Sequence, residues 1–340
     1  MGSVKDLKVI TPATVHSSGI GLFSFSDRYS VYDWGEMPDM ISNKGKALCI
    51  IGAFFFEALE KQGISTHYLG LTEEGETKKL ADLEKPSNGM QVRLLNVFKP
   101  LLTGDTYDYS SYHKGMTNYL IPLEIIYRNQ LPEGSSVLKR LRNGSLKLGD
   151  IGLKEMPSPG TKLFPPIFDV STKLETTDRY MDWTQAQNIS GLSKTDIIEL
   201  KKKLLLIDSV ITDNVSKIGI VNEDGKFEFG MDENRAMIVV DVLGTPDECR
   251  FTYEGIPVSK EVVRIWYRKS EWYDRVEKAK KKDKIGWKKL VTRGPEPLPI
   301  RMVELISSLY LSFCNELTGR KWFDTPDLRN TLLEIKNYIG

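Results

Sequence analysis

The sequence predicts an α+β protein in two lobes, built mainly from antiparallel sheets with helices against them. Three observations carry that reading. Several segments alternate apolar and polar residues with period two, among them Val4–Val9, Leu22–Phe25 and Lys226–Phe229, as half-buried strands do. Two longer segments, Lys46–Gln62 and Ser193–Ser216, instead repeat their apolar residues at helical spacing. A chain of 340 residues, 40% of them hydrophobic, is long enough for a substantial core and for two lobes.

From the N-terminus, Val4–Val9 and Leu22–Phe25 read as strands, with Gly19 and Gly21 punctuating between them. The run from Ser26 to Asp33 (SDRYSVYD) is too polar for a core strand and too poor in glycine for a mere turn. It is either a capped surface loop or a binding loop. A loop over Pro38–Asn43 leads to Lys44-Gly45 and the helix Lys46–Gln62, whose apolar face carries Ile50, Ile51, Phe54, Phe55, Ala58 and Leu59 and which stops at Gly63. Two or three more strands surround the polar segment 72–79. Pro100–Asn118 has no periodicity and reads as an inserted loop, and the composition change sets a boundary near residue 115, with a β-rich lobe over 1–115 and an α+β lobe over 116–340.

Leu120–Arg128 opens the second lobe as a strand, and Pro157–Pro166 reads as proline-rich loop. Ser193 with Asp196 three residues on is the N-cap signature of the strongest helix. Val258–Tyr273, Pro299–Leu317 and Pro326–Ile339 read as further helices. The lysine run Ala279–Lys284 is a solvated helix end or a basic patch.

Asp224–Arg250 is the stretch with the clearest chemical content. Side-chain alternation puts Phe227 and Phe229 on one face and Lys226 and Glu228 on the other. After the turn-forming Asp232-Glu233-Asn234, Met237–Val240 returns as a second strand ending at Asp241. A hairpin closing about Asn234 and Arg235 sets Glu228 across from Asp241, with Cβ atoms roughly 4.5–5.5 Å apart. Two such carboxylates repel unless a cation joins them; magnesium is commonly held by one or two carboxylates plus nucleotide phosphates. The alternative is a solvated hairpin with scattered charges. Asp224-Gly225 can also form a tight turn that breaks the first strand.

Composition narrows the function classes. Lys and Arg number 47 against 46 Asp and Glu, which gives no support to a nucleic-acid or membrane-surface role and leaves small anionic ligands open. Three scattered cysteines without a CxxC pair, and three scattered histidines, offer no zinc or iron–sulfur pattern and fit a reducing compartment. No apolar run reaches the length of a membrane span and the N-terminus lacks a signal-peptide pattern, so the cytoplasm is the expected location.

Seven segments over residues 2–264, in order, resemble the SAICAR synthetase family, the phosphoribosylaminoimidazole-succinocarboxamide synthases. Gly2–Leu7 resembles the family's G-K-x-[RK]-D-[LIV] loop, Ser26–Asp33 its SDRxSxxD, and Asn43-Lys44-Gly45 its KG loop. Pro122–Arg128 with Gly134-Ser135 resembles P-x-E-x-x-x-R…GS, and Pro166-Ile167-Phe168 with Thr172-Lys173 resembles PxF…TK. Asp224–Arg250 resembles D-x-K-x-E-F-G…D…TPD-x-x-R, and Lys260–Arg264 the KxxxR that follows. One such match is weak; seven in order are strong.

The resemblance implies a two-lobed fold with ATP between the lobes and a ligation in de novo purine synthesis. ATP, carboxyaminoimidazole ribonucleotide and L-aspartate would give the succinocarboxamide, ADP and phosphate. It implies Lys226 and Arg250 as catalytic residues, Lys5, Glu124, Glu228 and Asp241 around ATP, and Mg2+ on Glu228 and Asp241. The substrates would be bound by Asp27, Arg28, Ser30, Asp33, Lys44, Arg128, Ser135, Asp178, Asp247, Lys260 and Arg264. Two departures stand out. Ser3 replaces the family's first loop lysine, and Thr176-Thr177-Asp178-Arg179 replaces a histidine-containing HDE-type segment, keeping only the aspartate. They keep open a diverged ligase with another substrate, while a non-catalytic nucleotide-binding paralogue is the reading from another class. Beyond residue 264 no motif carries over, and the C-terminal helices either pack on the core or form a homo-oligomeric interface.

Overall fold

Alternating residues near the N-terminus pair into a five-stranded antiparallel sheet in the computed structural model, which describes residues 4–104 and 106–339. Ser3, where the family's lysine is replaced, lies outside the described residues. The strands are β1 (Lys5–Thr11), β2 (Gly19–Phe25), β3 (Tyr68–Glu73), β4 (Glu76–Lys78) and β5 (Gly89–Leu94), in the order β1-β2-β5-β3-β4. Gly19 and Gly21 do not punctuate; both lie in β2 and pair with β5, because β1 and Leu94 approach too closely for a side chain at Gly21. Helix α1 (Lys44–Lys61) starts two residues earlier than its apolar pattern suggests and stops at Gly63 in the left-handed region.

The segment over 100–118 carries a short ribbon, β6 (Leu101–Thr103) with β7 (Thr106–Asp108), and buries Tyr109 and Tyr112. A seven-stranded sheet follows: β8 (Tyr119–Leu131), β9 (Thr161–Thr172), β10 (Tyr180–Met181), β11 (Val221–Met231), β12 (Met237–Val240), β13 (Cys249–Tyr253) and β14 (Ile256–Pro257). Part of the expected proline-rich loop is strand: β9 runs through Pro165 and Pro166, with a register shift opposite Arg128 and Gln130 that lets residues 163–166 leave the ladder. The Ser65–His67 backbone bonds to Val239, and Asn96 to Asn118 and Leu120, so the two sheets are joined by main-chain hydrogen bonds.

Helices α2 (Ser136–Arg142), α3 (Trp183–Ser190) and α4 (Lys194–Ser216) follow, the last with the Ser193–Asp196 capping box that its sequence announces. The helix expected over 258–273 is two, α5 (Glu261–Arg268) and α6 (Glu271–Lys282), because the Ser270 side chain caps a new start. Helix α7 (Ile300–Thr318) packs on α1, and α8 (Leu328–Ile339) packs on α7, so both add to the core. Among the described residues, no helix is long and apolar enough to cross a membrane.

On the buried side of α4, Asp208 receives hydrogen bonds from Asn129 (2.8 Å) and Asn222 (3.2 Å), and among the described residues no cation pairs with it. Burial pushes its carboxyl up to about 6. A folded-state value above the unfolded one means stability is greatest below pH 4 and is lost as pH rises through 6. Asp208→Asn should therefore stabilise the protein by roughly 1–3 kcal/mol at pH 7 and by little at pH 4. Urea midpoints across pH 4–7 test this; a difference from wild type that stays constant with pH would refute it.

Candidate active site

Strand β11 organises the site because its two edges are filled differently. Along one edge β8 pairs with it from Asp224 to Met231. Along the other, β12 covers Glu228–Met231 and β13 covers Val221–Gly225, so residues 241–248 stand opposite Lys226 and Phe227 alone. The detour begins at Asp241 (φ 65°) and turns again at Gly244 (φ 70°), both left-handed. Asp224-Gly225 continues as strand, as the family spacing requires. A β-carbon at Gly225 would come within 2.5 Å of the Tyr127 hydroxyl.

The register corrects the expected carboxylate pair. The hairpin closes symmetrically about Asn234, so Glu228 faces Val240, and Asp241 lies one residue beyond the strand. Directly across from Glu228 is Glu124 on β8. Asp241 still reaches Glu228 electrostatically, because its left-handed backbone breaks the strand alternation. Each carboxylate has a lysine partner: Lys173 on Glu228, Lys5 on Asp241, and Lys226 at 2.8 Å on Glu124. Burial, reinforced by Asp241, pushes Glu228 up to about 7. Burial opposes the charge of Asp241 too, but Lys5 and Lys173 hold it below the usual carboxylate range. The buried His67 ring places Nε2 3.0 Å from the Asp241 carbonyl, to which it donates, and burial lowers its pKa to about 4.

Beside this group opens a cleft of ≈ 1250 Å³. Its floor is a cross-strand row in which Arg250 on β13, Asp224 on β11 and Arg128 on β8 pair in register. Asp224 accepts from Arg250 (2.7 Å) and Arg128 (3.2 Å), and Arg128 donates to Asp169 (3.0 Å), which also accepts from Arg140 (2.7 Å). Ser135, Lys226, Asp247, Lys260 and Arg264 complete the lining from the predicted set, with Asp33 at the rim held by Lys280 at 2.9 Å. Lys226 lies at the join: Glu124 is on one side, and Glu248, 3.3 Å away, on the other. Glu248 foremost, with Glu124, raises its pKa well above the usual lysine value. Asp178 carries a raised pKa from burial and from Glu124, and senses Lys226 and Asp33.

Of the residues predicted to bind substrate, five stand outside the cleft lining: Asp178, described above, and Asp27, Arg28, Ser30 and Lys44. Asp27 accepts from the backbone N–H groups of Asn43 (3.1 Å) and Gly45 (3.0 Å) and so holds the start of α1. Arg28 donates to Asp6 at 2.8 Å, and Ser30 sits half-buried on the same loop. Lys44 is fully buried and pairs with Asp247 at 2.7 Å, reaching the cleft only through that carboxylate.

The sequence matches the SAICAR synthetase family over residues 13–280. The chain belongs to that family. A protein of Archaeoglobus fulgidus, named provisionally as a phosphoribosylaminoimidazole-succinocarboxamide synthase, is 48% identical over 339 residues, covering 100% of each chain. The phosphoribosylaminoimidazole-succinocarboxamide synthase of Thermoplasma acidophilum is 34% identical over 334 residues, 94% of this chain and 98% of its own. In fold the chain resembles the Saccharomyces cerevisiae SAICAR synthase complexed with SAICAR, with TM-score 0.64 at 24% identity over 95% of either chain. It also resembles a SAICAR synthetase in complex with ADP, with TM-score 0.61 at 20% identity over 96% of this chain and 98% of that one. It is an enzyme, the ligase of the SAICAR-forming step of purine biosynthesis.

Several residues of this SAICAR synthetase's candidate site escape motif reading. Lys173 is visible as the lysine of the TK pair, yet its partnership with Glu228 needs the β8–β9–β11 register. Asp224 opens the D-x-K-x-E pattern with period two and was there to be found. Glu248, His67 and Asp169 have no local signal, since each arrives from another element, whereas Lys280 belongs to the lysine run that could be read as a basic patch. Asp224→Asn would leave Arg250 without its carboxylate and Arg128 with one partner fewer. A loss of about 3 kcal/mol is expected, on the scale of a broken buried ion pair. Urea unfolding with an unchanged slope measures it; a midpoint equal to wild type would show that Asp224 does not hold the row.

Proposed function

We propose that nucleotide and ribonucleotide meet over β11, with Lys226 between them. The observation that carries this reading is the interrupted ladder, which sets Lys226 at the boundary between a carboxylate–lysine group and an arginine-lined cleft. The cleft lining holds nine cationic side chains against six carboxylates, an excess suited to a ribonucleotide phosphate and to carboxylates. One similar structure is in complex with ADP and another with SAICAR, which supports ligands of these two kinds. ATP would lie between the sheets, with its phosphates toward Lys5 and its adenine bordered by Glu124. Arg128, Ser135, Arg250, Lys260 and Arg264 would take the ribonucleotide, with Asp33, Asp178 and Asp247 toward L-aspartate. Three buried free cysteines fit a reducing compartment, consistent with the cytoplasm.

Among the described residues, no three His, Cys, Asp or Glu side chains gather as a metal cage. Glu228 and Asp241 alone fit Mg2+ whose remaining ligands are phosphate oxygens and water. Bound there, it would neutralise charge on the transferring phosphoryl group.

Carboxylate and triphosphate are both anions, so the residues of this chain must make their approach affordable. The ribonucleotide carboxylate attacks the γ-phosphoryl group in line, releasing ADP and forming an acyl phosphate. The amine of L-aspartate then attacks the acyl carbon, phosphate leaves, and the amine loses its proton. Lys226 offers a fixed positive charge to the first step, kept protonated by Glu248 and Glu124.

Glu228→Gln should cut turnover by about a hundred- to a thousandfold while leaving the urea midpoint near that of wild type; an active variant with unchanged magnesium dependence would refute its role. ADP release with the ribonucleotide, with and without L-aspartate, tests the substrate assignment. Coupled release requiring L-aspartate is expected, and release with another amine only would replace the substrate.

A further inference from the structure

The C-terminal helix α7 carries no family motif and lies beyond the matched residues 13–280, yet it enters the site. Tyr310, 1% exposed, donates its hydroxyl to Asp247 Oδ1 at 2.6 Å, while Lys44 of α1, fully buried, donates to Oδ2 at 2.7 Å. The Lys44 ammonium also lies 5.2 Å from the centre of the Tyr310 ring and bonds the Arg28 carbonyl at 3.3 Å. Asp247 is thus gripped on both oxygens by two helices that pack on each other, and it lines the cleft beside Lys260.

A surface carboxylate would need no such arrangement. Asp247 sits on the 241–248 detour, whose backbone leaves the ladder and so cannot be held in register by strand pairing. Side-chain bonds have to fix it instead. A buried hydroxyl aimed at a carboxylate fixes the carboxylate plane, and the second oxygen is fixed by Lys44. From this geometry we infer that Tyr310 is a positioning residue of the ligase, acting through Asp247 to hold the 241–248 segment and Lys260 for the substrate. The inference rests on the reading of Asp247 as part of the substrate subsite.

The charged and titratable groups facing Asp247 are Lys44 from α1, Tyr310 from α7, and Lys260 from the chain before α5. Arg264 of α5 and Glu248 face Tyr310. Removing the hydroxyl takes a donor from the carboxylate, so the pKa of Asp247 must rise. In Tyr310→Phe, kcat/KM for the ribonucleotide should fall by roughly ten- to a hundredfold, and the acidic limb of its pH profile should move to higher pH. Phe313→Leu, on the same helix and stacked on Phe251 with ring centres 5.5 Å apart, controls for loosening of α7. It should lower the melting temperature without moving the pH profile. Asp247→Asn separates the two readings. If Asp247→Asn is impaired but Tyr310→Phe keeps the wild-type profile, or merely matches Phe313→Leu, the inference fails alone. Wild-type kinetics in Asp247→Asn would overturn the subsite reading and the inference with it.

Discussion

Residues 241–248 have to leave the ladder of β11 for this site to exist. Had β12 run straight into β13, the second edge of β11 would be closed by main-chain bonds, and Lys226 would face a neighbouring strand. The departure has local causes. Asp241 and Gly244 take left-handed backbones, and Pro246 has no N–H to offer a ladder. It also has a support: a β-carbon at Gly244 would lie 2.2 Å from the Phe55 ring, so the detour rests directly on α1. Helix α1 in turn is started by Asp27 and covered by α7. Within Ser26–Asp33, Asp27 thus fixes the start of the helix on which the detour lies.

Charge is the second constraint, and it follows from the first. Opening the ladder brings Asp241, Asp247 and Glu248 next to Glu124, Glu228 and Asp224, and carboxylates so partly or wholly buried must be compensated. The compensation is one cation for nearly every carboxylate: Lys5, Lys173, Lys226, Lys44, Arg128 and Arg250. Such pairs contribute little net stability, because desolvation offsets attraction. Their value is positional: apart from Lys44, which is buried behind Asp247, each lysine or arginine would already be in place for an anionic ligand, and little reorganisation would remain when it arrived.

Fold class, the long helices and the identity of β11 were legible in the sequence because each is specified by local periodicity or a cap. Ser193 with Asp196, and Phe227 with Phe229, are cases where neighbouring residues decide the outcome alone. The hairpin register was not: one residue separates closure about Asn234 from closure about Asn234 and Arg235, and the left-handed backbone at Asp241 has no signature in its side chain. Motif resemblance found eight of the residues lining the cleft but could not tell a residue that touches ligand from one that holds another in place. Lys44 and Asp27 read as binding residues; in the structure Lys44 bonds Asp247, and Asp27 bonds the backbone at the start of α1. Tyr310 had no motif at all, because its partner lies on a different element and the bond between them depends on how α7 lies against α1.

The Lys5–Asp241 pair shows how such a site can be both stable and open to ligand. It joins the edge strand of one sheet to the detour of the other, so it closes the gap between them. Desolvation offsets most of its attraction, so the pair sets the two groups opposite each other without locking them together. A triphosphate would offer Lys5 a new anion, and a magnesium ion would offer Asp241 a new cation. Both partners would then exchange at once, and neither charge would stand unpaired along the way. Lys173 stands in the same relation to Glu228, whose pKa is raised first by burial and then by Asp241 beside it. Glu228 is therefore the carboxylate whose charge the protein compensates least, where a divalent ion would be shared, while the cation excess lies in the cleft beyond Lys226, on the side of the anionic substrate.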